Sequence, residues 1–223
     1  MTTSVMTPHS MGMIEVCEIF RSLQGETTAA GFPSVFVRLS GCNLRCRYCD
    51  TTYAYGEGSP MTPGEIAASV RKYPVPHHIT LTGGEPLMQP ESGELVRVLS
   101  KIAPVRIETN GSVDISGTDG AAARIVDVKT PSSGECGSFL MSNLDHLTDD
   151  DEMKFVVGTG EDMHFTSDFI TRHFKDSRIV INISPSDGVI TAAECASFIL
   201  DGGLNVRMNL QMHKIIWPEG ELK

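Results

Sequence analysis

The sequence predicts an α/β fold in which strands alternate with helices. Short apolar segments with the composition of β-strands are separated by segments with helical spacing, the order expected of βαβ units. The strand segments are apolar on both faces, as buried parallel strands are. About six units are visible, whereas a closed barrel needs eight. We therefore expect an open or partial (β/α)6 TIM-like barrel with trimmed helices, and a doubly wound sheet is the alternative.

The strands follow from short apolar runs bounded by turn residues. They are predicted at residues 13–20, 34–39, 79–82, 105–109, 125–129, 153–157 and 179–184, and residues 205–210 close the series. A long loop is expected over residues 40–60. Ligands of such sheets bind beyond the carboxyl ends of the strands, so the chemistry is expected in the loops that follow them.

Helices are indicated by capping residues and by apolar spacing. Thr62 and Glu65 form a capping box that opens a helix over residues 62–73, and Thr191 and Glu194 do the same for residues 191–200. A helix is also expected near residues 162–174, and a fourth over the apolar positions between residues 95 and 102.

Composition limits the class of protein. The chain has 223 residues, 24.2 kDa, and fits a single domain over residues 1–223. Its net charge of −10 argues against broad nucleic-acid binding. No apolar run approaches the roughly 20 residues of a membrane span. Residues 1–12 are polar and lack the apolar core of a secretory signal, so a cytoplasmic protein is expected. We expect residues 1–12 to be flexible and residues 219–223 to form a tail.

Three of the six cysteines are clustered. Cys42, Cys46 and Cys49 form C-x3-C-x2-C in the predicted loop. A structural zinc site normally takes four protein ligands, and the sequence offers no nearby Cys or His pair to complete one. Three thiolates on a [4Fe–4S] cluster would leave one iron without a protein ligand and free to bind another molecule. The spacing therefore favours an iron–sulfur cluster.

Together with Gly83-Gly84-Glu85-Pro86, the cysteine motif resembles the radical S-adenosylmethionine enzymes. The resemblance implies that the open iron chelates the cofactor, whose cleavage yields a 5′-deoxyadenosyl radical that abstracts a substrate hydrogen. It also implies that the backbone near Gly84 and the side chain of Glu85 hold the cofactor's amino group. The fold implied is the partial barrel of the radical SAM type.

Longer segments resemble one family of that superfamily, the 7-carboxy-7-deazaguanine synthases of queuosine biosynthesis, a tRNA modification pathway. They are EIFRSLQGE at residues 18–26, GFPSVFVRLSGCNL at 31–44, DTTYA at 50–54 and QMHKIIW at 211–217. The resemblance implies a lyase that converts 6-carboxy-5,6,7,8-tetrahydropterin to 7-carboxy-7-deazaguanine with loss of ammonia. It implies a [4Fe–4S] cluster, S-adenosyl-L-methionine and Mg²⁺ as cofactors.

The same resemblance assigns roles to individual residues. Arg38 is expected to pair with the substrate carboxylate, Gln24 and Glu26 with the pterin edge, and Thr51 with Mg²⁺. The other expected substrate contacts are Leu23, Gly25, Thr82, His213, reaching in from the last strand, and Pro218. The expected cofactor contacts are Tyr48, which could stack on adenine, Cys49, Asp50, Gly84, Glu85, Ser132, Ser133, Gly134, Ser184, Pro185, Ser186 and Asp187.

The sequence departs from the family pattern at three of these places. Thr27 follows Gln-Gly-Glu where the family often has Gly, Tyr48 stands where Trp is common, and Ser184-Pro185 replaces Gln-Pro. These departures concern the local geometry of the loops rather than the class of reaction.

Two other functions are compatible with part of the pattern. A glycyl-radical enzyme activase shares the cysteine spacing, but it need not carry Gln24, Glu26 and Arg38. A non-enzymatic iron–sulfur or zinc binding module would not need residues 83–86. As partners, the family implies a small-molecule pterin substrate, a flavodoxin-like reductant and a second copy in a homodimer, with no nucleic acid and no membrane.

Overall fold

A computed structural model describes residues 12–175 and 177–217. The expectations for residues 1–11, Pro218 and the tail 219–223 lie outside these residues. Within them, no helix combines the length and apolar character needed to cross a membrane.

The described chain forms one nine-stranded sheet with helices along its outer side. The strands are β1 Ile14–Leu23, β2 Pro33–Leu39, β3 Ser59–Met61, β4 His78–Gly83, β5 Val105–Thr109, β6 Ala123–Asp127, β7 Glu152–Val157, β8 Val180–Pro185 and β9 Arg207–Met208. The helices are α1 Pro63–Val70, α2 Ser92–Leu99, α3 Gly160–His173, α4 Ala192–Asp201 and α5 Met212–Ile216. Short 3₁₀ turns stand in for helices between β5 and β6 and between β6 and β7.

The strand order identifies the sheet as a partial barrel. The sheet runs β3-β1-β2-β4-β5-β6-β7-β8-β9, and every pair from β2 to β9 is parallel. This order follows the chain from β2 onward without reversal, so the switch point of a doubly wound sheet is absent from the described strands. The prediction of a partial barrel with trimmed helices is confirmed.

One part of the predicted pairing is wrong. β1 pairs antiparallel with both β2 and β3. The reason is the connection between β1 and β2, which contains no helix and is too short for the crossover that parallel strands need. The edge strand β3 overlaps the end of the segment expected to be a loop. The sequence did not predict it, because three residues are too few to show the apolar pattern of a strand.

Capping and core packing agree with the sequence. The capping boxes at Thr62 and Thr191 are both present, and a third at Thr159 and Asp162 begins α3. Apolar side chains form one cluster against α1 and α2 and a second against α3 and α4, so the core lies between the sheet and the outer helices.

The loop between β1 and β2, residues 24–32, folds into the barrel instead of over its surface. Its residues Gln24, Glu26, Thr27 and Ala29 are buried. The backbone N–H of Thr28 donates to Glu152, the first residue of β7, at 3.2 Å. The loop therefore closes the amino end of the barrel and forms a floor beneath the strand ends. We call residues 24–32 the floor loop.

Thr27 adopts the left-handed backbone conformation in this loop. Its φ is +65°, and it is the one non-glycine residue with positive φ among those described. A β-branched residue is strained there. Its N–H donates to Asn209 Oδ1 at 2.7 Å, and its hydroxyl accepts from Ala29 N–H at 3.3 Å. These bonds hold the strained residue in place, and the conformation explains why glycine suits the position.

We expect Thr27→Gly to raise the midpoint of thermal unfolding by about 2–4 °C, which corresponds to about 1 kcal/mol. Glycine relieves the strain, and the relief exceeds its entropy cost in the unfolded chain. Thr27→Ala is the matched control, because alanine keeps the Cβ and should bring no gain. Scanning calorimetry on identically prepared proteins tests this, and a glycine variant no more stable than wild type would contradict it.

Candidate active site

A cavity of about 520 Å³ opens at the carboxyl ends of the parallel strands. This is the edge at which the sequence predicted the chemistry. The predicted site residues that line it are Leu23, Gln24, Gly25, Glu26, Arg38, Cys42, Cys46, Tyr48, Cys49, Asp50, Thr51, Thr82, Gly84, Ser184, Pro185, Ser186, Asp187 and His213. Most of the predicted site is therefore brought together in one place.

The cysteine loop is held by its own backbone and by neighbouring turns. Gly41 N–H donates to Ala54 O at 2.8 Å, and Cys49 N–H donates to Cys46 O at 3.2 Å. Arg47 N–H donates to Ser133 O at 2.9 Å. Cys42, Cys46 and Cys49 are each partly buried as free thiols, and burial raises the pKa of Cys46.

The Gly83-Gly84 turn packs directly under this loop. Gly84 N–H donates to Leu39 O at 3.1 Å, and Glu85 N–H donates to Gly41 O at 2.8 Å. A Cβ on Gly84 would lie 2.0 Å from Gly41 O and 2.8 Å from the Cβ of Cys42. Only glycine permits this approach. The cysteine motif and the Gly83-Gly84-Glu85-Pro86 motif are therefore in direct contact at Gly84.

The three thiols are the donors that a cluster would use. They come from one loop and border one cavity, and His213 is the only histidine among the described residues that line it. No three His, Cys, Asp or Glu side chains in residues 12–175 and 177–217 are gathered closely enough to hold a single metal ion. Three thiols beside an open cavity fit a [4Fe–4S] cluster with one iron left for another ligand.

Glu85 lies behind the cavity wall, not on it. Its side chain is fully buried, and its carboxylate accepts from Leu87 N–H at 3.0 Å, Thr109 Oγ1 at 2.9 Å and Asn110 N–H at 2.6 Å. Burial raises its pKa, and these hydrogen bonds offset part of the rise. The Glu85 side chain, for which a cofactor contact was expected, does not line the cavity, and its hydrogen bonds join the turn after β4 to the end of β5.

Ser132, Ser133 and Gly134 also lie outside the cavity lining. Ser133 is buried, and its hydroxyl donates to Thr130 O at 2.6 Å. Ser132 N–H donates to Asp162 Oδ1 at 2.8 Å at the start of α3. Because Ser133 O accepts from Arg47, this turn supports the cysteine loop from outside.

The floor of the cavity is polar and closely bonded. Gln24 Nε2 donates to Glu108 Oε1 at 2.9 Å, and Thr82 Oγ1 donates to the other oxygen of Glu108 at 2.9 Å. The carboxylate of Glu26 contacts the ammonium of Lys154 and accepts from Gln211 Nε2 at 2.7 Å. The floor therefore presents amide and carboxylate groups to the cavity.

Arg38 borders the cavity from β2. Its Nε donates to Glu18 at 2.8 Å, and its guanidinium lies 5.8 Å from the ring centre of Phe20 and 5.7 Å from that of Tyr53. No other hydrogen bond engages the guanidinium within the described residues. The terminal nitrogens are consequently available for the two-pronged binding of a carboxylate.

Asp50 and Thr51 lie at the mouth of the cavity. Thr51 Oγ1 donates to Asp50 Oδ1 at 2.9 Å. Lys214 contacts Asp50 at 3.7 Å and Asp187 at 3.2 Å, so it joins the cysteine loop to the loop after β8. At the end of β8, Ser184 Oγ accepts from Asn209 Nδ2 at 2.9 Å, and in the loop that follows, Ser186 N–H donates to Val157 O at 2.7 Å.

His213 lies on the short helix α5, not on the last strand as expected. The last strand ends at Met208, and residues 209–211 connect it to α5. Met212 N–H donates to Gly25 O at 2.8 Å, and a Cβ on Gly25 would lie 2.2 Å from His213 Nδ1. The ring of His213 therefore packs directly against Gly25, where a larger residue would clash with it.

Several cavity residues were not assigned a role from the sequence: Glu108, Asn110, Asp127, Lys129, Lys154, Gln211 and Lys214. Glu108, Asn110 and Lys129 lie at or just after the ends of β5 and β6, but nothing in the sequence sets them apart from ordinary polar residues. Lys129 is paired with Asp127 at 2.8 Å, and although burial lowers its pKa, this carboxylate raises it overall.

Comparison with known proteins agrees with this geometry. Residues 36–134 match the model of the Radical SAM superfamily, a stretch that contains both motifs and the contact between them. Together with the cavity and the three thiols, this match defines the class: the chain is a radical SAM enzyme.

Curated relatives identify the family. The chain is 39% identical over 224 residues to the 7-carboxy-7-deazaguanine synthase of Koribacter versatilis, covering 92% of this chain and 98% of the relative. It is 42% identical to that of Methanospirillum hungatei, covering 93% and 86%. The chain belongs to the 7-carboxy-7-deazaguanine synthase family.

A solved structure shows the same fold. The structure of QueE from Escherichia coli matches with a TM-score of 0.74 at 22% identity, covering 90% of this chain and 95% of that one. The partial barrel is therefore shared over nearly the whole chain.

We expect Gly84→Ala to lose most of its cluster, because the new Cβ would displace the carbonyl group of Gly41 and the Cβ of Cys42. Iron and sulfide content after anaerobic reconstitution, with the visible absorption of the cluster, measures the loss. Gly56→Ala is the matched control: Gly56 follows the same loop, has negative φ, and has open space around its Cβ. Equal cluster content in the two variants would contradict the role of the Gly84 contact.

Proposed function

We propose that this chain converts 6-carboxy-5,6,7,8-tetrahydropterin to 7-carboxy-7-deazaguanine with loss of ammonia. The observation that carries the proposal is one cavity that joins three cysteine thiols to a floor of amide and carboxylate groups, with Arg38 at its border. Membership of the 7-carboxy-7-deazaguanine synthase family supports it.

The cofactor end of the cavity would be the cysteine wall. Cys42, Cys46 and Cys49 would hold the cluster, and Tyr48, Asp50, Gly84 and the loop 184–187 would face S-adenosylmethionine. When bound, the cluster and S-adenosylmethionine supply the electron and the radical chemistry of the superfamily. Glu85 and the turn 132–134 would contribute from behind the wall by fixing β4 and the cysteine loop.

The substrate end would be the floor and the β2 wall. Arg38 would bind the substrate carboxylate, while the amide of Gln24 and the carboxylate of Glu26 would form hydrogen bonds along the pterin edge, Glu26 as an acceptor only. Leu23, Gly25, Thr82 and His213 would complete the walls. The floor loop lies beneath the cavity, so it would shield this end from water.

Mg²⁺ would bind at the mouth through the Thr51 hydroxyl, water and the substrate. Magnesium keeps several waters and takes few protein ligands, so one threonine suffices. A homodimer and a flavodoxin-like reductant are proposed from the family resemblance, as is a place in queuosine biosynthesis.

A product assay tests the reaction. We expect anaerobically reconstituted protein with S-adenosylmethionine, Mg²⁺, reductant and carboxytetrahydropterin to form 7-carboxy-7-deazaguanine, detected by mass spectrometry. Cys46→Ala should abolish product because the cluster loses a ligand. Cys136→Ala, which removes an exposed cysteine outside the cavity, should keep it. Cleavage of the cofactor without product would contradict the substrate but not the class of enzyme.

The role of Arg38 is tested by Arg38→Gln. We expect the KM for the pterin to rise about 10- to 100-fold, because a charged pair to the carboxylate is lost. The cluster should still load, since Arg38 contacts none of the cysteines. Arg97→Gln is the control, because Arg97 is exposed on α2. An unchanged KM in Arg38→Gln would remove Arg38 from the substrate site.

A further inference from the structure

Lys154 is a buried cation that the proposed chemistry does not use. It stands on β7 and lines the cavity, and its side chain is 16% exposed. Its ammonium contacts Glu26 Oε2 directly. Burial alone would lower the pKa of Lys154, but the Glu26 carboxylate and the nearby Asp127 and Glu108 raise it, so the side chain stays charged.

The two oxygens of Glu26 are held by different partners. Oε2 contacts Lys154, and Oε1 accepts from the neutral amide of Gln211 at 2.7 Å. Glu26 N–H donates to Gln24 Oε1 at 3.2 Å, which fixes the residue relative to the neighbouring amide of the floor. The carboxylate is thereby fixed in position, and since each of its oxygens has one such partner among residues 12–175 and 177–217, each has a lone pair left to accept a second bond.

The charges around this pair come from several elements. His213 on α5 also interacts electrostatically with Glu26. Glu108 on β5 and Asp127 on β6 interact in the same way with Lys154. Asp50 of the cysteine loop interacts with both Lys154 and His213. Burial raises the pKa of Glu26, but Lys154, Gln211 and His213 together outweigh burial and leave the pKa below its usual value. Of the cations facing Glu26, Lys154 alone forms an ion pair with it within the described residues.

We propose that Lys154 is a positioning residue, whose fixed positive charge keeps Glu26 a carboxylate aimed at the N–H groups of the bound pterin. The inference rests on the proposed function, because it takes the pterin edge as the ligand of Glu26. A carboxylate accepts two adjacent N–H donors, and such charge-assisted bonds are about twice as strong as neutral ones. A protonated Glu26 would present an O–H to one of those donors and lose the match.

The test compares pterin binding across pH in cluster-loaded protein without S-adenosylmethionine. Anaerobic calorimetry would give Kd from about pH 6 to about pH 8.5, expressed as the ratio of variant to wild type so that titration of the ligand cancels. Removal of Lys154 lets burial raise the pKa of Glu26. We expect Lys154→Met to bind about tenfold more weakly at the acid end and to approach wild type at the alkaline end.

Two variants serve as controls. Lys154→Arg keeps the charge and should keep the ratio flat with pH. Lys72→Met removes an exposed lysine just after α1 and should match wild type throughout. A Kd ratio for Lys154→Met that is raised equally at every pH, or not raised at all, would overturn the proposal, because a merely structural lysine gives no dependence on pH.

A second measurement, without ligand, separates this inference from the proposed function. In Lys154→Met, a folded Glu26 with a raised pKa loses stability as pH rises from its unfolded pKa to its folded pKa, so the deficit in melting temperature should grow from acid to neutral pH. The double variant, compared with Glu26→Gln alone, should show no such growth. If the growth is absent, the Lys154 proposal fails alone. If the growth is present but wild type binds no pterin, the substrate assignment fails, while the effect of Lys154 on the charge of Glu26 is supported.

Discussion

The structure depends on the burial of a loop inside an incomplete barrel. The floor loop carries backbone and side-chain polar groups into the space beneath the strand ends, where each must find a partner or cost free energy. The partners come from β5, β7 and the segment just after β9: Gln24 bonds to Glu108, Thr28 to Glu152 and Thr27 to Asn209. These bonds do two things at once. They substitute for the closure that two further barrel units would give, and they set the groups that face the cavity.

The opposite wall is organised by a close approach of backbones rather than by charge. Gly84 lies against Gly41 and Cys42 so tightly that any side chain would intrude. The cysteine loop is consequently held in shape by main-chain hydrogen bonds before any group is bound to it. The cavity lies between the cysteine loop and the hydrogen-bonded polar floor. One end is therefore lined by thiols and the other by amide and carboxylate groups.

Much of this follows from the sequence, and the exceptions have physical causes. The parallel strands, the capped helices and the cysteine wall are local patterns, so they were predictable. The antiparallel β1 was not, since apolar alternation gives no direction to a strand. The packing of His213 against Gly25 and the pairing of Lys154 with Glu26 each join residues far apart in the chain, so no sequence spacing predicts either contact. Glu85 belongs to a recognisable motif, yet a motif does not tell whether a carboxylate faces a ligand or braces two strands.

The cysteine wall and the floor also differ in the sequence separation of the residues that hold them in place. The contacts between the cysteine loop and the glycine turn fall within residues 39–85. Those that secure the floor reach across 182 residues from Thr27 to Asn209 and 185 from Glu26 to Gln211. Long-range contacts carry the larger loop-closure cost, and their C-terminal partners leave the ribosome last. The spacing of the partners therefore predicts that the contact between the cysteine loop and the glycine turn forms early, whereas the floor is completed only once the C-terminal partners Asn209 and Gln211 have been synthesised.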